Sequence, residues 1–294
     1  MSRPGPALTE RDVALLIDVY KHRYLSVSQI QRLHFPSLQT AYRRLRNLTA
    51  LKYLVGFTAP AITEHLYFLG KPGAELVAAQ VGVETSQLKW QDGLQAPKDY
   101  YFLRHFLAVN DVRITLSQAC QNTDITLLGF IPEYYGQKTA AGGLVKYIKD
   151  FVCDVTSPQE EPVAHTPDAV FALQKNQVSA LFFLEVDRGT EIIGDEHKGV
   201  LKAVKFYMNY LVSGKYQRYS EDFGCMEFKG FRTLIVTTTD KRIDNMRASV
   251  SQLTFAEKAK KFIWITDQQQ AIRSIFDPIW RSADVTDTNR YRIG

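Results

Sequence analysis

At 294 residues, with 45% hydrophobic and 23% charged residues, the chain is long enough for two domains and has the makeup of a globular protein, not a fibrous or disordered one. Its net charge of +5 is concentrated at one end: residues 1–60 carry nine Lys/Arg against three acids, while the remaining 27 Lys/Arg and 28 Asp/Glu nearly cancel. A basic block on a folded domain implies a polyanionic partner, most often nucleic acid, and no apolar run approaches the roughly 18–20 residues of a membrane span, so no membrane partner is expected. The opening MSRPGPALTERD lacks the apolar core of an export signal. Cys120, Cys153 and Cys225 are far apart and odd in number, which suits a reducing cytoplasm and supplies neither a disulfide framework nor a zinc site.

In chain order, Thr9 is an N-cap followed by Glu10 and Asp12, and Val13, Leu16, Ile17 and Tyr20 recur at helical spacing. After the HRYLS turn, Ser26 caps a second helix over Val27–Leu33, which His34-Phe35-Pro36 ends. A third helix runs from Ser37 through SLQTAYRRLRNLTALKYL. Leu38, Ala41, Leu45 and Leu48 form its core face, and Gln39, Thr40, Arg43 and Asn47 the opposite one, with Arg44 and Arg46 on the flanks. Tyr53–Phe57 and His65–Leu69 are expected as two strands joined by TAPAITE, and Lys71-Pro72-Gly73 leads into a further helix, AELVAAQVG. Short polar groups at the start of the third helix suit base edges, and arginines suit phosphate or guanine. The competing reading of RRLRN is a solvated helix face.

Residues 82–99 are polar and aperiodic and are expected as a linker between a first domain, 1–81, and a second, 100–294. The second opens with a well-buried helix, YYFLRHFLAVNDVRITLSQACQ, in which Asp111 is a candidate to add a carboxylate to the acids described below. Strands are expected at Ile125–Ile131, Lys146–Val155, Asp168–Leu173 and Ala180–Asp187, with Gln174–Gln177 as a hairpin connection and Ser157–Thr166 as a flexible insertion. A helix Glu196–Val212, a strand Phe231–Thr237, a helix Arg242–Leu253, a strand Phe262–Thr266 and a helix Gln268–Phe276 complete an α/β domain with a mixed sheet. Glu185 and Asp187, two apart on a strand, share a face, and strand pairing brings Asp168 near them. Three carboxylates at one sheet edge are a candidate site for a hard divalent cation such as Mg²⁺; the competing reading is three solvated strand ends.

Around residues 8–80, with RRLRNLTALKYLVGF and YFLGKPGAEL in place, the pattern resembles winged helix-turn-helix DNA-binding domains. Pro167-Asp168 followed by Glu185-Val186-Asp187 resembles the PD-(D/E)XK nuclease-like fold, except that Asp187 stands where a lysine is expected. That resemblance implies Asp168, Glu185 and Asp187 as metal ligands and one of Lys198, Lys202 and Lys205 as a relocated lysine; their alternative role is a basic helix face. HFLAVNDVRI, PDAVFAL, FFLEVDRGTE and YMNYLVSG together resemble bacterial replication-relaxation family proteins. This implies an α+β chain with double-stranded DNA as partner in plasmid or mobile-element replication or mobilisation, and either Mg²⁺-dependent cleavage or non-catalytic regulation. A homodimer on symmetric sites and proteins of the replication or mobilisation machinery are further expected partners. Other chemistries lack their signatures: there is no G-x-x-x-x-G-K-[ST] and no G-x-S-x-G, and no two of the six histidines are two residues apart.

Overall fold

The computed structural model describes residues 7–60, 62–88, 90, 100–138, 144–154, 162–189, 193, 199–253 and 260–294. It is a mixed α/β chain that divides into two compact units, Met1–Ile114 and Thr115–Gly294.

The first unit contains α1 (Glu10–His22), β1 (Leu25–Ser26), α2 (Val27–His34), α3 (Leu38–Ala50), β2 (Leu54–Ala59), β3 (Ile62–Leu69) and α4 (Lys71–Val81). Capping boxes start the first two helices: Thr9 with Asp12, and Ser26 with Gln29. Ser37 caps α3. The HRYLS turn contains a short strand not anticipated from the sequence, because Leu25 and Ser26 pair with Tyr67 and Leu66 of β3; the sheet order is β1-β3-β2. The β2–β3 hairpin is longer than expected, with Ala59 still paired to Ile62. Lys71-Pro72-Gly73 lies inside α4, not before it, because proline suits the first helical turn. The glycines of YFLGKPGAEL have a steric cause: a Cβ on Gly70 would lie 2.2 Å from the Lys52 carbonyl oxygen, and one on Gly73 2.2 Å from that of Tyr53. The core is built from Leu15, Leu16, Ile30, Ala41, Leu45, Leu48 and Val77, among others. Leu38 was expected among them but is 46% exposed, one turn short of the packed stretch of α3.

Helix α5 (Tyr100–Gln121) carries the division between units, at Ile114/Thr115, and not the 82–99 stretch, most of whose second half lies outside the described residues. The hydrogen bonds of the first half of α5 explain this. Asn110 donates to the carbonyls of His22 and Tyr24, Gln29 donates to the Leu107 carbonyl, and Asp111 pairs with Arg32 at 2.9 Å. Asp111 therefore belongs to the first unit and does not join the acids of the second.

In the second unit, β4 (Thr126–Pro132), β9 (Ala169–Lys175), β10 (Val178–Val186), β11 (Phe231–Thr237), β12 (Ile263–Asp267) and β13 (Arg281–Ser282) form a six-stranded sheet in the order β13-β12-β11-β10-β9-β4. β4, β9 and β10 are successively antiparallel, β10, β11 and β12 are mutually parallel, and β13 is antiparallel to β12. Asn176 and Gln177, both at positive φ, make the two-residue turn that joins β9 to β10. Phe130, Phe171 and Phe182 stand opposite one another on three adjacent strands and stack at 5.9 and 5.0 Å, which fixes the register. On the other face, α6 (Gly199–Ser213) packs Tyr207 and Tyr210 against Phe183 and Phe231. Helices α7 (Tyr219–Asp222), α8 (Asp240–Ser251) and α9 (Gln268–Ser274) complete the described helices of this unit. Two short ribbons, β5 (Gly136–Lys138) with β6 (Leu144–Lys146) and β7 (Asp150–Cys153) with β8 (Pro162–His165), stand apart from the main sheet. The described part of the expected Lys146–Val155 strand is thus divided between two ribbons, and part of the expected Ser157–Thr166 insertion forms β8.

Candidate functional site

A cavity of about 370 Å³ opens where the end of β10, the β7–β8 ribbon and the start of α6 meet. Its lining includes Lys149, His165, Asp168, Glu185, Asp187 and Lys202. All three acids expected to stand together, Asp168, Glu185 and Asp187, therefore line it with a lysine of α6. Asp168 precedes β9, where its amide N–H donates to the Leu184 carbonyl at 3.0 Å and its Oδ2 accepts the Val186 N–H at 2.6 Å. The side chain thus ties β9 to the end of β10.

Glu185 is the centre of a local network. His165 Nε2 lies 2.7 Å from its Oε1, and the Tyr207 hydroxyl donates to the same oxygen. Burial drives the Glu185 carboxyl above its usual pKa, and the opposing pull of His165 does not cancel this. Burial alone would lower the His165 imidazole, but the Glu185 carboxylate outweighs it and raises His165. Burial, with Glu185 beside it, holds the Tyr207 phenol well above its ordinary value. His165, Glu185 and Tyr207 thus form a short hydrogen-bonded chain next to Asp168.

Asp187 has a different role from the one its spacing suggested. It is buried, and its carboxylate is engaged by the Arg242 guanidinium (Nη2 to Oδ1 2.8 Å), the Thr237 hydroxyl and the Gly189 N–H. A buried carboxylate matched to a two-pronged guanidinium is a structural ion pair. The three acids do not fit the three-carboxylate Mg²⁺ site that the nuclease-like resemblance implied, because Arg242 already neutralises the third. Among the described residues, no group of three or more His, Cys, Asp or Glu is arranged to hold a metal ion. Of the candidate lysines, Lys202 is exposed and lines the cavity, Lys205 is half-buried on the next turn, and Lys198 lies outside the described residues.

Sequence reasoning missed His165, Tyr207, Lys149 and Arg242. His165 lies three residues before Asp168 in what read as an insertion, so only its pairing with Asp150 across the ribbon makes it part of a wall. Tyr207 was hidden among α6 residues of apolar character. Arg242 opens α8 beyond β11, and nothing local links it to Asp187.

In the first unit, α3 turns Gln39, Tyr42, Arg43 and Arg46 to solvent at helical spacing, while Thr40 and Asn47 are half-buried. The Thr40 hydroxyl is 3.0 Å from the Ser37 hydroxyl, within the cap. Arg44 is not on the exposed face. Its Nε donates to Asp12 Oδ1 at 2.7 Å, Asp12 is fully buried, and the pair joins α3 to α1. Other cations of the basic block are also engaged internally: Arg32 with Asp111, and Arg11 over the Phe35 ring at 4.7 Å. The outward positive charge of α3 is thereby reduced to Arg43 and Arg46.

Among the described residues, no helix is long and apolar enough to cross a membrane. No curated protein and no solved structure matches the chain. The replication-relaxation family model matches residues 16–224, more than half of the length, from α1 through the β10–α6 segment that bears the cavity. The chain therefore belongs to the replication-relaxation family.

Proposed function

We propose that the chain is a double-stranded DNA-binding protein of plasmid or mobile-element replication or mobilisation. In this reading the first unit is a winged helix that docks on the duplex, and the second is a nuclease-like domain retained for binding. The observation that carries the reading is the outward face of α3. Gln39, Tyr42, Arg43 and Arg46 lie along one side of a capped helix whose other side is packed, and the β2–β3 hairpin follows at once. A recognition helix offers polar side chains to base edges and arginines to guanine or phosphate in this way. The order α5, three antiparallel strands, α6 and the parallel strand β11 supports the nuclease-like reading of the second unit. The ion pair between Asp187 and Arg242 favours binding over cleavage.

Gel-shift titration of the protein on plasmid fragments tests this. Arg43→Ala with Arg46→Ala is expected to abolish the shift, and Glu185→Gln to preserve it. Equal loss from both would contradict the assignment of duplex binding to α3.

A second reading, a Mg²⁺-dependent nickase, draws on Asp168, Glu185 and Lys202 lining one cavity. It requires nicking of supercoiled plasmid in Mg²⁺ or Mn²⁺ that Asp168→Ala removes; intact plasmid at every protein excess rejects it.

A further inference from the structure

Helix α3 carries two apolar side chains that its packing does not use. Leu38 is 46% exposed and Tyr42 39%, although Ala41, Leu45 and Leu48 of the same helix are fully buried. Residues four apart lie one above the other on a helix. Leu38, Tyr42 and Arg46 therefore make one outward row, beside a second row of Gln39 and Arg43. The chemistry changes along the axis: Leu38, Gln39 and Tyr42 come first, and the guanidinium groups of Arg43 and Arg46 follow. No acid occurs anywhere on α3, whose sequence is LQTAYRRLRNLTA.

A single exposed apolar residue requires no explanation. This pair, however, stands at the N-terminal end of the helix assigned to the duplex, where a recognition helix meets base edges. Two arginines on the same surface and the lack of acids fit a polyanionic partner, not a purely apolar one. In the major groove, the group that gains from contact with an apolar side chain is the C5-methyl of thymine. Gln39 adds an amide, which matches adenine N6 and N7 bidentately, and adenine is the partner of thymine. The three side chains thus select the same base pair. Four residues of helix advance about 6 Å, and successive bases on a strand are about 3.4 Å apart. Leu38 and Tyr42 therefore reach methyl groups about two base steps apart.

We infer that the chain selects A·T base pairs by their thymine methyl groups, with Leu38 and Tyr42 against the methyls, Gln39 on adenine, and Arg43 and Arg46 on the phosphates. The inference rests on the reading of α3 as the duplex-binding helix and gives that helix a sequence preference. Fluorescence anisotropy of the full chain tests it with three labelled duplexes of equal length: alternating A·T, the same with deoxyuridine for thymidine, and G·C. Deoxyuridine removes the methyl and keeps every donor and acceptor of the base pair. The wild type is expected to bind the deoxyuridine duplex about tenfold more weakly, from roughly fourfold per methyl, and the G·C duplex more weakly still. Leu38→Ala with Tyr42→Ala should bind the thymidine and deoxyuridine duplexes alike, with the salt dependence of the wild type. The wild-type comparison needs no variant, so it stands even if the double variant folds poorly. Equal, salt-dependent binding of both duplexes by the wild type overturns the proposal and leaves the winged-helix reading standing, whereas binding of no duplex removes both. A wild-type dimer that the double variant loses, with both duplexes bound alike, would overturn it by assigning the pair to contact between copies.

Discussion

The two units handle histidine in opposite ways. His22, on α1, is buried with its Nδ1 2.8 Å from the Asp18 carbonyl, and burial lowers its pKa to about 3. His165, on β8, is half-buried in the cavity wall, and the Glu185 carboxylate raises its pKa. Burial favours the neutral imidazole at the first site, whereas a carboxylate partner favours the charged form at the second. The same contrast applies to the rest of each unit. The first unit neutralises its internal charges pairwise and leaves a few polar side chains on one helix face. The second collects its ionisable groups around an opening. Shifted titration occurs in both units, but only in the second do the shifted groups gather beside a cavity.

The largest expected effects come from breaking the ion pair in each unit. Arg242→Ala strands Asp187 without its cation in a buried position, and Arg44→Ala does the same to Asp12; each is expected to cost about 3–5 kcal/mol. Chemical denaturation with hydrogen exchange resolved by peptide should localise the first loss to the second unit and the second to the first. A loss below about 1 kcal/mol for Arg44→Ala would mean that it is an exposed, available arginine after all. Next in size is Gly73→Ala, whose methyl meets the Tyr53 carbonyl oxygen at 2.2 Å. About 1–3 kcal/mol of destabilisation is expected from such overpacking, read as a lower melting temperature, and an unchanged one would contradict the close approach.

The pH responses should diverge. His22 has a folded pKa below the unfolded value of 6.5, so the unfolded chain binds the extra proton and the first unit loses stability as pH falls from 6.5 towards about 3. His165 has a raised folded pKa, so its contribution is fully present below pH 6.5 and is lost as pH rises through the folded value. Peptide-resolved exchange at a series of pH values checks both. The smallest expected effect is on stability in Tyr42→Ala. It should lie within about 0.5 kcal/mol, because the side chain is exposed on α3, even though duplex affinity falls.

How much could be read beforehand varied with the range of the interaction. Caps and periodicity are local, so the starts of α1, α2 and α3 and the strand Phe231–Thr237 were legible almost to the residue, although α3 ends at Ala50, four residues before the expected run does. The hairpin at Asn176-Gln177 was legible because the polar QKNQ interrupts two apolar runs. Asp168 and Glu185 could be brought together because antiparallel pairing is set by that turn. The role of Asp187 could not be read, because its partner Arg242 is 55 residues away and arrives through a parallel crossover. Arg44 was misplaced for a related reason. Helical spacing puts it on a flank, and only the packing of α3 on α1 decides that it turns inward to Asp12. His165 was overlooked because a wall made by a ribbon outside the main sheet has no periodic signature in the sequence.

In the proposed function, duplex DNA is held by the outward arginines of α3. A salt titration of duplex affinity for the wild type and for Arg43→Ala with Arg46→Ala tests it most directly. If both side chains meet phosphates, the slope of log affinity against log salt becomes shallower by about 1.8, from about 0.9 per contact, with a large loss of affinity at low salt. An unchanged slope with unchanged affinity would contradict the account.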